Sequence, residues 1–177
     1  DISLFTVGED IYASATPSEE VSSLRTSTAE IETFLVDNAA SKDVAVGGYD
    51  AYEVSFTLKP QFEGKTKVTL CNACGEKFSL EFDTENMTVL ADRSESGKMT
   101  RIKSFVLMPA APLGLCNSSD GYDVDVFVDK CSVEVFVDGG RIAMTNLVFP
   151  SESFDNIVFE STGESEISNM FIHKIGK

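Results

Sequence analysis

The stretch YDVDVFVDKCSVEVFVDGG, from Tyr122 to Gly140, decides the fold. Apolar and polar residues alternate with period two on both sides of Lys130 and Cys131, which is typical of two half-buried β-strands joined by a two-residue turn. Valines pair across this turn: Val128 with Val133, Val126 with Val135, and Val124 with Val137. Because these six side chains share one face, the sequence predicts a hairpin that buries its valines in a β-sheet core.

The opposite face of this hairpin carries carboxylates and aromatic rings. Five acids lie in the stretch: Asp123, Asp125, Asp129, Glu134 and Asp138. In the predicted register, Asp125 lies opposite Phe136 and Phe127 lies opposite Glu134. Catalytic acids need a concave, desolvated pocket that separates their pKa values, and a flat outer strand face provides none. We therefore expect these carboxylates to face solvent rather than to form a catalytic pair.

Period-two alternation recurs along most of the chain. In AYEVSFTLKP, the apolar side chains of Tyr52, Val54, Phe56 and Leu58 share one face. Similar runs occur at 67–70, 77–82, 87–91, 102–108, 156–161 and 169–175, and turn-forming residues separate them. Many short strands at this spacing predict an all-β fold, a two-sheet antiparallel β-sandwich of the jelly-roll or concanavalin-like type.

One segment, TPSEEVSSLR, has a helical pattern. Thr16 can cap the first turn, Pro17 suits the first helical position, and Glu19 can reach back to the cap. The sequence therefore predicts one short helix near the N-terminus.

Composition excludes several classes of partner. The chain has 177 residues, a net charge of −15 and an isoelectric point near 4.3. A nucleic-acid binder needs a cationic face, and a transmembrane helix needs about 20 consecutive apolar residues. Neither feature is present in the sequence, so we expect no nucleic-acid partner and no membrane partner. The length is about that of one domain, so we expect a single domain.

The cysteines and the one histidine give weak signals. Cys71 and Cys74 have the C-x-x-C spacing of zinc and redox sites, but zinc needs a second pair or a nearby histidine. Cys116 and Cys131 are far apart, so we expect no metal and no cofactor. Half-buried thiols are the favoured interpretation, and a disulfide is the alternative. His173 lies in an alternating run and is expected to be a packed strand residue.

The run VDVFVDKCSVEVFVDGGRIAMTNLVFP, residues 124–150, resembles the C-terminal β-sandwich of glycoside hydrolase family 32. This family contains invertases, levanases, inulinases and related fructosidases. Its pattern is a strand ending in F-V-D, a tight turn, S-V-E-V-F-V, a Gly-rich turn and a closing F-P, and residues 132–137 match S-V-E-V-F-V. Residues 17–25, PSEEVSSLR, resemble the interdomain connector, and residues 92–97, DRSESG, resemble the D-R-x-x-S-G segment of the same sandwich.

The resemblance implies a division of the chain. Residues 1–15 would be a remnant of a preceding five-bladed propeller, residues 16–28 a connector with the short helix, and residues 29–177 the sandwich. Because Asp1 is not an initiator residue, we expect a processed product or an excised fragment. The implied partner is the catalytic propeller of the same polypeptide, and the resemblance also allows a fructan or another carbohydrate and a second copy of the chain as partners. The implied localisation is secreted or periplasmic.

The same resemblance implies that this chain is not an enzyme on its own. The family's catalysis resides in the propeller, in the motifs W-x-N-D-P-N-G, R-D-P and E-C. The sequence has no tryptophan, no R-D-P triplet and no cysteine that follows a glutamate. We therefore expect no catalytic residues here and a supporting role in a fructan- or sucrose-hydrolysing glycosidase, with an exposed apolar patch where the propeller packs.

An autonomous fructan-binding module is the alternative function. Related modules bind terminal fructose through acidic residues and an arginine. Glu81 and Asp92 are the candidate acids, because a hairpin across residues 84–87 places them diagonally on one outer face, about 7–8 Å apart. The candidate arginines are Arg93 and Arg101, and spacing does not select between them. An unrelated lectin-like adhesin is a third interpretation.

Overall fold

The computed structural model describes residues 1–98, 105, 110–117 and 119–176. Within these residues the chain is built almost entirely from strands. The strands are β1 (Ile2–Val7), β2 (Asp10–Ala15), β3 (Arg25–Ile31), β4 (Phe34–Val36), β5 (Lys42–Ala45), β6 (Tyr52–Pro60), β7 (Lys65–Cys71), β8 (Lys77–Asp83), β9 (Thr88–Glu95), β10 (Ala110–Pro112), β11 (Tyr122–Asp129), β12 (Ser132–Val137), β13 (Ile142–Leu147), β14 (Asn156–Ser161) and β15 (Ser165–Ile175). Short 3-10 helices span Glu19–Leu24 and Leu113–Leu115.

Two antiparallel sheets of the described residues form a sandwich. The six-stranded sheet has the order β10-β9-β8-β7-β14-β5, and the seven-stranded sheet has the order β13-β12-β11-β6-β15-β3, with β4 paired to β15. Strands β1 and β2 form a separate two-stranded sheet. The predicted all-β sandwich is confirmed.

The predicted hairpin register is confirmed residue by residue. Val128 pairs with Val133, Asp125 pairs with Phe136, and Lys130 lies in the turn between β11 and β12. All six valines are at most 5% exposed. Burial of each such side chain contributes roughly 1.5–3 kcal/mol, so a one-residue slip that turned the valines outward would cost far more than any single contact of the outer face.

The core lies between the two large sheets. From β6, the side chains of Tyr52, Val54, Phe56 and Leu58 are all buried, as the alternation predicts. Phe56 packs edge-on against Phe159 of the facing six-stranded sheet, with 5.5 Å between ring centroids. Strands of both sheets therefore contribute to one continuous core.

The short helix differs from its predicted form. It begins at Glu19, two residues later than predicted, and it is a 3-10 helix without a side-chain N-cap. The reason is that the backbone of Thr16 still pairs with Asp1 at the open end of the β1–β2 sheet, so Thr16 is extended and cannot cap the helix. Pro17 accordingly precedes the helix instead of occupying its first position.

Residues 16–24 are the part of the predicted connector, 16–28, that precedes β3, and from here on we call them the connector; they cross the outer face of the seven-stranded sheet. At the start, the Ala15 N–H donates to the Gly140 carbonyl beside β13, 3.0 Å away. At the end, Arg25 opens β3 at the other edge of that sheet. Between these points, Pro17 and Val21 lie over Phe127 of β11. One side of this sheet is therefore partly covered by the chain's own connector.

Two predictions fall on residues that the structure does not describe. Arg101 lies outside the described residues, and so does most of the predicted strand at 102–108. Among the helices that are described, none is both long enough and apolar enough to cross a membrane.

Candidate functional site

Glu81, the first predicted carbohydrate-binding residue, projects from β8 on the outer face of the six-stranded sheet. It lies in an open cleft of about 440 Å³ whose wall is the loop at 37–41. The Lys65 Nζ donates to Glu81 Oε1 at 2.6 Å and lies 3.4 Å from the carboxylate of Asp83. These contacts, led by the Glu81 hydrogen bond, raise the pKa of Lys65. Glu81 is therefore already neutralised by a neighbouring cation.

Asp92 lies on the same face as Glu81. In the β8–β9 register, Ser79 pairs with Asp92 and Glu81 pairs with Leu90, so the two acids are diagonal neighbours, as the sequence predicts. The Asp92 Oδ1 accepts a hydrogen bond from the Ser94 N–H at 2.8 Å, which engages it locally.

Arg93 does not join these acids. Its guanidinium lies 4.4 Å from the centroid of the Phe105 ring and donates toward the Leu147 carbonyl of β13 at 3.4 Å. Because adjacent strand residues point to opposite faces, Arg93 projects away from the surface that carries Asp92. The fourth candidate, Arg101, lies outside the described residues. Binding by these residues stays a prediction, and the structure brings only the two acids together among those it describes.

A second polar cluster lies beneath the connector, on the outer face of the seven-stranded sheet. Glu53 of β6 is 1% exposed, although its position in the strand turns it away from the core. Arg25 donates to it through a two-pronged contact, with Nε–Oε2 at 2.7 Å and Nη2–Oε1 at 2.6 Å. This pair satisfies a buried charge and attaches the end of the connector to a central strand. The apolar–polar alternation of β6 could not identify this buried pair, because the connector that covers Glu53 is remote from β6 in sequence.

Asp125, Glu134 and Asp138 correct the expectation that the acids of the central hairpin all face solvent, because each of the three is half-buried. Asp123 and Asp129 are exposed, as expected. Asp125 is half-buried, and desolvation together with the charge of Glu53 raises its pKa to about 6, with Arg25 acting in the opposite direction. The cause is the connector, because its residues Pro17 and Val21 line the same cleft as Asp125 and reduce the solvent contact of this part of the strand face.

Phe127, Phe136, Asp125 and Glu134 form a checkerboard of two rings and two acids on neighbouring outward positions. The rings meet edge-on, with centroids 5.9 Å apart and planes at 83°. The connector's Pro17 and Val21 stand over these residues and enclose a cleft of about 300 Å³, which we call the connector groove; its lining residues are Pro17, Val21, Ala51, Phe127, Val128, Asp129, Ser132, Glu134, Phe136 and Ile175.

The one histidine and the four cysteines lie in strands or close to them. His173 is 9% exposed in β15, and its Nδ1 shares a hydrogen bond of 2.8 Å with the Thr28 hydroxyl. Burial, aided by the charge of Arg25, lowers its pKa. The four cysteines are unpaired thiols, and no cluster of potential metal ligands occurs among the described residues.

The β1–β2 sheet has two unlike faces. On one face, Phe5 stacks on Tyr12 at 5.6 Å, and the guanidinium of Arg141 lies 4.8 Å from the Phe5 centroid, which attaches this face to the sandwich. The other face carries Ile2, Leu4 and Ile11, which are 81%, 74% and 69% exposed. Sequence alternation in DISLFTVGEDIYA indicates two strands but does not show which side is left uncovered.

Comparison with known proteins identifies the family of this chain. The model for "Glycosyl hydrolases family 32 C terminal" matches residues 20–174. The levanase of Bacillus subtilis is 25% identical over 173 residues, covering 96% of this chain and 25% of that protein. The fructan beta-fructosidase of Streptococcus mutans is 31% identical over 105 residues, covering 58% of this chain and 7% of that protein.

Solved structures agree on the fold. The exo-inulinase of Aspergillus awamori superposes with a TM-score of 0.79 at 22% identity, over 99% of this chain and 35% of the inulinase chain. The chain thus spans about a quarter of the levanase and about a third of the inulinase. Since the family model covers most of the chain, from residue 20 to residue 174, the chain belongs to the C-terminal domain family of the family 32 glycosyl hydrolases.

Proposed function

We propose that this chain is the non-catalytic C-terminal β-sandwich of a fructan- or sucrose-hydrolysing glycosidase, and that it supports a catalytic propeller of the same polypeptide. The observation that carries the proposal is the uncovered apolar face of the β1–β2 sheet, with Ile2, Leu4 and Ile11 at 69–81% exposure. Contiguous apolar surface of this kind is usually a contact surface. An extracytoplasmic location belongs to the same proposal.

The register shows why these residues form one surface. Leu4 pairs with Ala13, and Thr6 pairs with Ile11, so the exposed side chains line a single side of the two-stranded sheet. The opposite side already packs toward the sandwich through Phe5 and Arg141. A two-stranded sheet is marginal alone, so a further layer on the Leu4 side accounts for its sequence.

The sequence, the comparisons and the surface acids support the non-catalytic part of the proposal. The three catalytic motifs of the family are absent from the sequence, and the matched relatives are several times longer than this chain. Glu81 is paired with Lys65, and Asp123 lies on an open strand face, so neither of these acids is placed as a catalytic group.

The first experiment measures hydrolysis. The pure chain is incubated with sucrose, levan and inulin, and released fructose is quantified. We expect none, and release that tracks the purified chain would contradict the proposal.

The second experiment tests the contact surface. Leu4→Ser with Ile11→Ser should lower self-association and dye binding by exposed apolar surface, and leave the unfolding free energy within about 0.5 kcal/mol of the parent chain. The matched control is Phe5→Ser, which removes a ring from the side that faces Arg141 and should destabilise the attachment of the sheet. Equal destabilisation by both variants would show that the Leu4 side packs within the chain.

A second candidate function is fructan binding through Glu81 and Asp92. The observation that favours it is the open cleft of about 440 Å³ beside Glu81, which is large enough to admit a sugar ring. The test is migration of the chain in gels that contain levan or inulin. Retardation that disappears in Glu81→Ala supports this function, and unretarded migration of the parent chain contradicts it.

A further inference from the structure

We propose that the connector groove, and not the Glu81 cleft, is the carbohydrate-binding surface of this domain, and that it takes a terminal fructosyl residue. This inference rests on the proposed fructan-related function. It assigns the ligand to the outer face of the seven-stranded sheet, where Phe127, Phe136 and Glu134 lie beneath Pro17 and Val21.

The groove has an aromatic floor. The core face of the hairpin is complete with its six buried valines, so Phe127 and Phe136 are not needed for the core. Both rings are half-buried on the outer side, in edge-to-face contact. An apolar, aromatic concavity with a few polar groups is the usual composition of a small-molecule site. The C–H face of a sugar ring matches such a floor.

Polar groups lie in and beside the groove. Among the residues that the structure describes, no hydrogen bond engages the carboxylates of Glu134 and Asp125 or the hydroxyl of Ser132. Glu134 and Ser132 line the groove, and Asp125 lies in the adjoining cleft on the other side of Phe127. Carboxylates accept hydrogen bonds from hydroxyl donors, and charge-assisted bonds of this kind are the stronger ones.

The Glu81 cleft is a poorer match to a sugar. Glu81 is engaged by Lys65 at 2.6 Å, and the residues that line its cleft include no aromatic ring. A sugar there would have to displace an existing ion pair and would gain no ring contact. In the connector groove, carboxylate oxygens without hydrogen bonds among the described residues lie beside the aromatic rings of Phe127 and Phe136. This groove therefore matches a neutral sugar better than the Glu81 cleft does.

The charged residues of the connector groove limit the kinds of ligand that it can bind. The described residues that line the groove include two acids, Asp129 and Glu134, and no basic residue, which disfavours phosphate, sulfate or an acidic peptide. A cation would also suit rings and carboxylates, so a quaternary ammonium probe belongs in the test.

The experiment is titration of the isotope-labelled chain with short inulin and levan oligosaccharides, followed by amide chemical shifts. With sugar up to about 10 mM, we expect shifts concentrated at residues 17–22 and 125–136. Glu134→Gln should weaken binding about fivefold to tenfold because it replaces a charged acceptor by a neutral one. Phe136→Leu should weaken it to a similar degree because it removes the ring and keeps an apolar side chain.

The matched control is Glu81→Gln, the same change on the other sheet, which should leave affinity unchanged. Far-UV circular dichroism and unfolding midpoints of all variants establish that they fold. Shifts confined to residues 37–41, 65–67 and 81 overturn the inference in favour of the Glu81 cleft. Absence of any shift, or shifts with choline chloride equal to those with sugar, also overturns it. None of these outcomes bears on the hydrolysis assay, which tests the accessory function separately.

Discussion

Replacement of Asp125 by asparagine is expected to stabilise the chain at neutral pH. Asp125 lies half-buried beneath the connector, near the buried carboxylate of Glu53, and its pKa rises from 3.8 to about 6. A raised pKa in the folded state means that folding disfavours the charged form of this carboxyl group. Asparagine has nearly the same shape and carries no charge, so it removes that penalty.

The magnitude follows from linkage between protonation and folding. The interval from 3.8 to about 6 corresponds to roughly 3 kcal/mol for a fully desolvated group. Because Asp125 is only half-buried, solvent screening reduces the expected gain to about 1–2 kcal/mol. The penalty is absent below the unfolded-state pKa near 3.8, grows as the pH rises toward 6, and is constant above that.

The assay is urea unfolding of the parent chain and the variant at several pH values between 4 and 8. We expect the variant to be more stable at pH 7.5 and the difference to shrink toward zero near pH 4. Comparison at each pH cancels the titration of the other groups. The matched control is Asp123→Asn on the same strand, which is exposed and should change stability by less than about 0.5 kcal/mol. A pH-independent difference, or no difference at pH 7.5, would refute the reasoning.

Three further changes test other contacts by the same unfolding assay. Gly140→Ala should destabilise the chain by more than Gly139→Ala. Both glycines have positive φ, but a Cβ at Gly140 collides with the carbonyl of the last residue of β2, whereas a Cβ at Gly139 meets open space. Equal losses of stability would contradict this prediction. Arg25→Ala should cost about 3 kcal/mol by leaving Glu53 buried and unpaired, and a neutral result would show that Glu53 is hydrated. Tyr52→Phe should be neutral or stabilising by about 1 kcal/mol, because its buried hydroxyl lacks a partner among the described residues, whereas a large loss would reveal one.

Local sequence was sufficient for the sandwich and the hairpin register. In the β11–β12 hairpin, alternation has a period of two, so a register error would have placed every valine in water. The same logic correctly paired Phe82 with Val89 and Leu80 with Ala91 in the β8–β9 hairpin. Such pairs are close in the chain, and turn chemistry defines their alignment.

Local sequence was not sufficient for the surface that the connector covers. Alternation turns Glu53 and Asp125 outward, and outward positions are normally solvated, yet one is buried and the other half-buried. The covering residues, Pro17 and Val21, are more than 30 positions away from both. No period within a strand can report such a contact.

What the sequence by itself determined is therefore the pairing of neighbouring strands and the family of the domain, since both depend on short-range patterns. The tertiary structure alone decided that the connector crosses the outer sheet, that Arg25 binds Glu53, and that Phe127 and Phe136 line a groove. The physical reason is that desolvation is a property of everything packed around a group. A carboxylate and an aromatic ring acquire their environment from segments that are distant in the chain.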